Sequence, residues 1–297
     1  MSLFDLVGNT PLVRLSRVIG QLSSGVEVWA KLEGANPGGS VKDRAASHIL
    51  RDRIARGIPA GARLLDSSSG NTGIAYGMLC AELGLPLTLV LPANANRERK
   101  RLLRAYGVEL VLTDPLDGSD GAIRHAQALC AAEPDRWLYL DQYSNAANPR
   151  AHELGTAEEI WQQTEGRVTH WVAGLGTTGT FVGTTRGLRK HRPDLVSVAV
   201  QPDGPFHGLE GLKHLPSAIR PAIYDEAAAS RHLWAPTEPA LELRQRLGRE
   251  EGLLVGPSSG AALWGALEVA RELESGVVVT LFPDGGERYV SEDHLWD

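Results

Sequence analysis

The sequence predicts an α/β protein of two domains, each a twisted, mostly parallel sheet flanked by helices. Three observations carry this. Short apolar runs alternate with amphipathic stretches along the chain, the order expected of parallel strands joined by helical crossovers. The chain has 297 residues, enough to bury a large core and a natural length for two domains. Three Gly/Ser/Thr-rich loops each follow a strand-like run and open a helix, which is where open α/β sheets gather their ligands.

The elements follow in order. A strand is expected over 26–32, then a helix over 41–56 closed by Gly57; Val41, Ala45 and Ile49 repeat at four-residue spacing within it. Strands over 63–66, 87–91, 108–112 and 138–140 alternate with helices over 74–83, 97–106 and 122–132, with Gly84 and Gly107 as stops. Beyond a soft boundary near 145–150 come helices over 157–163, 181–191, 239–249 and 261–273. Strands over 170–173, 196–200 and 277–282 lie among them.

Composition excludes several classes. Net charge is −6, so the whole-chain basic field of a nucleic-acid binder is absent. No apolar run reaches the ~18–20 residues of a membrane span, and the N-terminus lacks a signal-peptide pattern; the cytoplasm is the expected location. Cys80 and Cys130 fall in helical stretches without metal spacing, so they read as reduced, packed thiols. The histidines form no ligand motif, and no metal is expected. The basic run from Arg97 to Arg104 reads as a solvated helix face.

Four segments could carry chemistry. In Pro37-Gly38-Gly39-Ser40-Val41-Lys42-Asp43-Arg44, Ser40 reads as a helix N-cap and Lys42 falls in the first turn. The positive end of the helix dipole disfavours an ammonium there and favours the neutral amine that Schiff-base chemistry needs. The plain alternative is an ordinary helix start with a surface lysine. In Ser67-Ser68-Ser69-Gly70-Asn71-Thr72-Gly73, hydroxyls and N–H groups converge on a helix start, a site for a carboxylate or phosphate. In Gly174-Leu175-Gly176-Thr177-Thr178-Gly179-Thr180, the glycines spell a dinucleotide fingerprint. The next strand ends in Gln201-Pro202 without the acidic residue that a ribose needs, so a single phosphate fits better. Gly256-Pro257-Ser258-Ser259-Gly260 alone is a helix start. Together the four describe two anion cradles, a lysine and spare hydroxyls, suited to a phosphorylated cofactor and a carboxylate-bearing substrate.

These segments resemble the fold-type II pyridoxal-phosphate enzymes, with a tryptophan-synthase-β-like fold, and within them the cysteine synthase (O-acetylserine sulfhydrylase) family. Gly8-Asn9-Thr10-Pro11-Leu12-Val13, Lys31-Leu32-Glu33, Asn36 to Arg44, Ser69 to Gly73, Gly176 to Thr180, and Pro283-Asp284-Gly285-Gly286-Glu287-Arg288-Tyr289 match family motifs in order. The stretches RER…RAYG after Asn96 and EIWQQT from Glu159 look most like the B type. The resemblance implies pyridoxal 5′-phosphate as cofactor, carried by Lys42. It implies that Asn71 bonds the ring hydroxyl, that Gly176, Thr177, Thr178, Gly179 and Thr180 hold the phosphate, and that Ser258 faces the pyridine nitrogen. Ser69, Gly70, Asn71, Thr72 and Gln142 would hold the substrate carboxylate. A larger domain (1–35 plus 147–297), a smaller mobile one (36–146) with the cofactor between them, and a homodimer are implied too.

The implied reaction replaces the β-substituent of O-acetyl-L-serine with sulfur from sulfide or thiosulfate, giving L-cysteine or S-sulfocysteine. A neutral serine at the pyridine nitrogen would limit charge delocalisation into the ring and favour elimination. In the loop DGPFHGLEGLKH, Lys213 and His214 stand where the B type carries a pair of arginines, so they are candidate second-substrate residues. Sulfide, thiosulfate and a carrier-protein thiocarboxylate stay open as sulfur sources, O-phosphoserine as donor, and a serine acetyltransferase as partner. Rival readings on the same fold are cystathionine β-synthase, serine or threonine dehydratase, and serine racemase. Thr72 after the loop asparagine, where dehydratases place histidine, and the end of the chain at Asp297 without a regulatory module favour the synthase. Outside the fold the rivals are an NAD-dependent oxidoreductase on Gly174, Gly176 and Gly179, and a non-catalytic binding protein.

Overall fold

The computed structural model describes residues 1–68 and 70–291. Its strands are β1 (Leu12–Arg14), β2 (Gly25–Leu32), β3 (Arg63–Ser67), β4 (Leu87–Pro92), β5 (Glu109–Thr113), β6 (Trp137–Tyr139), β7 (His170–Gly174), β8 (Val196–Pro202), β9 (Arg231–Ala235) and β10 (Ser275–Phe282). Its α-helices are α1 (Lys42–Ala55), α2 (Asn71–Leu83), α3 (Arg97–Ala105), α4 (Gly118–Ala132), α5 (Ala147–Ala151), α6 (Ala157–Gln163), α7 (Gly179–His191), α8 (Thr237–Arg246) and α9 (Pro257–Arg271).

Residues 1–7 and 42–148 form one compact unit; 8–41 and the chain from 149 onward form the other. The division expected at 35/36 and 146/147 therefore moves. Residues 36–41 stay with the larger unit because the Val41 N–H bonds the Pro283 carbonyl at 2.8 Å and Ser40 bridges Asp284. Residues 1–7 join the smaller unit, where the Leu3 N–H bonds Glu82 Oε1 at 2.8 Å and Leu3 and Phe4 pack on the α2 core.

In the smaller unit the sheet order is β5-β4-β3-β6, all parallel. Leu89 and Leu91 meet Ile49, Leu50, Leu79 and Leu103 from α1, α2 and α3 on one face. Leu65 and Val90 meet Ala122 and Ala126 of α4 on the other. With both faces covered, β4 is buried at every position and reads in sequence as a mostly apolar run, with only Thr88 polar.

The larger unit has the order β1-β2-β10-β7-β8-β9, parallel except for β1 with β2. Successive β10 residues face opposite sides: Val278 packs with α9 residues, while Val277 and Val279 pack with Ile160 of α6 and Phe181 of α7. Each such fully buried side chain contributes about 1.5–3 kcal/mol relative to exposure.

The sequence missed β1, β9 and α5. β1 and β9 are short edge strands carrying exposed Arg14 and Arg231, so no apolar run announces them. α5 contains Pro149, which reads as a breaker. It stands in the first turn, where an N–H has no intrahelical acceptor, and the helix continues through a π turn at His152–Thr156 into α6. Five helices start earlier than their apolar periodicity. α2 begins at Asn71, α4 at Gly118, α7 at Gly179, α8 at Thr237 and α9 at Pro257, because their first residues are polar, glycine or proline. No described helix is long and apolar enough to cross a membrane, and Cys80 and Cys130 are free thiols.

Candidate active site

In the smaller unit Lys42 is the first residue of α1 and is half-buried. Ser40 is not the residue next to the helix. Val41 is, and Ser40 is drawn away into its backbone bridge with Asp284. α1 packs alongside α2, whose first residue is Asn71. Ahead of α2, the Ser68 hydroxyl oxygen accepts the Gly70 N–H (3.3 Å) and the Gly73 N–H (3.0 Å), closing the loop on itself. Ser69 lies outside the described residues. A side chain at Gly70 would meet nothing within 4 Å, so that side of the loop is open.

Gln142 ties the loop down. Its amide nitrogen donates to the Ser67 carbonyl at 3.2 Å, its amide oxygen accepts from the Thr72 hydroxyl at 2.7 Å, and Asn148 holds the Gln142 carbonyl at 2.7 Å. Thr72 and Gln142 are both buried. The structure therefore brings Thr72 and Gln142 together, gives Ser68 of the same segment a bracing part, and adds Asn148, which no motif singled out.

In the larger unit β7 delivers the chain to the N-terminus of α7. Thr178 sits just before the helix at φ +73°, a left-handed conformation costly for a β-branched residue, on the order of 1–3 kcal/mol. Its hydroxyl is buried with no hydrogen-bond partner. The Thr177 hydroxyl oxygen accepts the Gly179 N–H at 3.4 Å. The Thr180 hydroxyl lies 3.2 Å from His152 Nε2, whose other ring nitrogen faces the Thr156 hydroxyl at 2.9 Å. His152 stands in the π turn after α5 and carried no sequence signal.

Gly211 joins the parts of this unit. A Cβ on Gly176 would stand 2.5 Å from the Gly211 carbonyl oxygen, so only glycine fits there. Gly211 itself is at φ +93°, and a Cβ on it would lie 3.7 Å from the Ser258 hydroxyl. Beside it the Lys213 N–H bonds the Leu175 carbonyl at 2.8 Å. The His214 ring tilts against Trp234 at 5.7 Å, with Nδ1 at 2.7 Å from the Ser217 hydroxyl. Thus the 176–180 loop, the loop bearing Lys213 and His214, and buried Ser258 in the first turn of α9 form one neighbourhood.

Several motif residues brace this framework. Tyr289 donates to Asp284 Oδ2 at 2.6 Å, the Asp284 carbonyl accepts the Gly256 N–H at 3.2 Å, and buried Arg244 donates to the Val255 carbonyl at 2.9 Å. Fully buried Lys31 pairs with Glu159 at 2.7 Å, and Thr10 donates to buried Glu33 at 2.7 Å. A buried ion pair broken on one side costs about 3–5 kcal/mol, so the Lys31–Glu159 pair is tightly constrained.

The residues present fit pyridoxal phosphate. The orphaned Thr178 hydroxyl, the N-terminus of α7 and the glycine that clears Gly211 make an anion cradle at a helix start. Ser258 is uncharged and stands at the positive end of α9, which disfavours a protonated pyridine nitrogen. Among the described residues no cluster of His, Cys, Asp or Glu is placed to hold a metal.

The family model described as pyridoxal-phosphate dependent enzyme matches residues 3–284. The chain belongs to the pyridoxal-phosphate-dependent enzymes. It is 49% identical to the cysteine synthase of Aquifex aeolicus, over 98% of this chain and 90% of that one. It is 43% identical to cysteine synthase B of Pseudomonas aeruginosa, over 97% and 95%. The crystal structure of the cysteine synthase of Entamoeba histolytica superposes with a TM-score of 0.94 at 31% identity, covering 99% of this chain and 90% of that one. For this pyridoxal-phosphate-dependent enzyme the dinucleotide reading of Gly174, Gly176 and Gly179 falls away; β8 also ends at Gln201-Pro202, without an acidic residue.

Proposed function

We propose that this chain is a cysteine synthase: it replaces the acetoxy group of O-acetyl-L-serine with sulfur, releasing acetate and forming L-cysteine. The observation that carries this is the 49% identity to a cysteine synthase over nearly the whole chain. The anion cradle at α7 supports it. In this reading Lys42 carries the cofactor and Asn71 bonds its ring hydroxyl. Gly176, Thr177, Thr178, Gly179 and Thr180 hold its phosphate, and Ser258 faces its nitrogen. Ser69, Gly70, Asn71, Thr72 and Gln142 form the substrate-carboxylate loop, and Lys213 and His214 flank the approach of the sulfur nucleophile. The enzyme works as a cytoplasmic homodimer, as its family resemblance implies.

When bound, pyridoxal phosphate supplies an electron sink for charge developing at the substrate α-carbon. The chain supplies the rest. The threonine hydroxyls and α7 N–H groups fix the phosphate. The carboxylate loop orients the amino acid so that its α-proton meets the Lys42 amine, which takes it as general base. Acetate leaves the β-carbon, the sulfur nucleophile adds there, and Lys42 returns a proton to the α-carbon. Ser258→Asp is expected to slow acetate release at least ten-fold in single-turnover measurements, because a carboxylate holds the nitrogen protonated; an unchanged rate contradicts this role.

The test is the absorption spectrum of the purified protein. A visible band from the lysine-bound cofactor is expected, to give way on adding O-acetyl-L-serine and to return on adding sulfide or thiosulfate. The nucleophile that restores it faster identifies the sulfur source. Absence of the band after incubation with pyridoxal phosphate refutes the assignment of Lys42.

A further inference from the structure

The carboxylate-binding loop grows out of the end of β3, and the residue beneath it is Asp66. Asp66 is fully buried. Its Oδ1 accepts the Ser67 N–H at 2.7 Å, while Oδ2 is buried without a partner at hydrogen-bonding geometry. Ser67 is gripped from the other side by Gln142, which also holds Thr72. One hydrogen-bonded line therefore runs from Asp66 through Ser67 and Gln142 to Thr72 at the start of α2.

No motif explains a carboxyl here. On β4, Leu89 stands opposite it in register. The polar groups that face it are phenols, the Gln142 backbone N–H and another acid; the Ser67 and Gln142 N–H groups and Tyr76 favour its charged form, and burial outweighs them. Tyr76 comes from α2, with Cys80 beside it; Tyr139 comes from β6; Asp141 and Tyr143 come from the segment after β6, with Asp120 of α4 close to Tyr143. A charge in such surroundings lacks solvation, and a second negative charge placed on the loop above it would be repelled through a low-dielectric interior.

We propose that Asp66 is a positioning residue of the carboxylate-binding loop that works with a proton on its carboxyl: uncharged it anchors Ser67 without repelling the substrate carboxylate, and charged it opposes substrate binding. The titration needed lies in an accessible range. Burial first, then the nearby Asp141 carboxylate, push the Asp66 carboxyl up to about 7. The sign follows: below that pH Asp66 is neutral and the loop accepts a carboxylate; above it the amino-acid substrate binds more weakly. The proposal rests on the reading of 67–73 as the substrate loop.

The test compares the holoenzyme with Asp66→Asn, an uncharged isostere that can still accept the Ser67 N–H, and with Asp141→Asn, whose backbone at φ +49° asparagine tolerates. KM and kcat for O-acetyl-L-serine are measured from about pH 6 to pH 8.5. KM of the parent enzyme is expected to rise about ten-fold more than that of Asp66→Asn across this range, with the difference confined to KM. In Asp141→Asn the midpoint of the rise is expected to move to lower pH. Infrared difference spectra of the protein alone are expected to show a protonated-carboxyl band that titrates near neutrality and is missing in Asp66→Asn. Superimposable KM profiles, an unmoved Asp141→Asn midpoint or the lack of that band overturns the proposal. If O-acetyl-L-serine is turned over normally, that failure concerns Asp66 alone. A protein that neither takes up pyridoxal phosphate nor turns over substrate overturns the functional reading, and this proposal with it.

Discussion

Replacing Lys42 by alanine is expected to lower kcat/KM by at least about 10³-fold, ~4 kcal/mol of transition-state stabilisation. The same variant is expected to lose covalently held cofactor. In the proposed mechanism two roles converge on one amine: it anchors the cofactor between turnovers and carries the α-proton within them. Neither passes easily to a neighbour, because Asp43 and Arg44 are buried and point their chemistry into the fold. Lys42 is half-buried at a helix start, so alanine, a good helix former, costs little stability. Borohydride reduction followed by mass spectrometry of the tryptic peptides reads the covalent link, and circular dichroism checks the fold. A reduced adduct on another lysine, or on the variant itself, contradicts the assignment.

Gly176→Ala should produce the second largest loss, through the cradle instead of the chemistry. The added Cβ would stand 2.5 Å from the Gly211 carbonyl oxygen, a backbone atom that cannot rotate aside. Relief requires the 176–180 loop or the Lys213 loop to shift, and Gly211 also lies against Ser258. Overpacking of this kind costs about 1–3 kcal/mol. If the strain falls on the cradle, cofactor affinity drops by roughly 10- to 100-fold. Fluorescence titration of the cofactor-free variant with pyridoxal phosphate measures this. Gly70→Ala is the control, since a Cβ there meets nothing within 4 Å and lies outside the phosphate cradle. Equal affinity in Gly176→Ala and the parent enzyme would show that the close approach does not shape the phosphate site.

The two predictions draw on different kinds of information. Lys42 stands out in the sequence because its motif is long and because a cation at a helix N-terminus runs against the dipole. The 176–180 loop stands out as a candidate phosphate site because its threonines exceed what a helix start needs. Gly211, His152 and Asn148 were not legible. They touch the cradle or the substrate loop through contacts separated in sequence; His152 and Asn148 fall in no motif, and the loop that holds Gly211 was singled out for Lys213 and His214 and not for this glycine. Asp66 was hidden for another reason. A single acid at the end of an apolar strand reads as a strand boundary, and only its burial reveals it as a group without solvation.

By itself, the sequence determined the alternation of strands and helices, the four loops at helix starts and the cofactor class. These depend on local rules: apolar periodicity, helix-end chemistry and residues adjacent along the chain. The tertiary structure decided what those rules cannot reach. It set the edge strands β1 and β9, which pair through backbone hydrogen bonds that any sequence can make. It set the change of unit at Val41 instead of near 35, because a backbone bond to Pro283 outweighs adjacency to α1. It also turned the polar loops into the first turns of α2, α7 and α9. The apolar pattern begins only where a helix packs on its sheet, whereas the N–H groups and hydroxyls proposed to bind ligand belong to the turn before it.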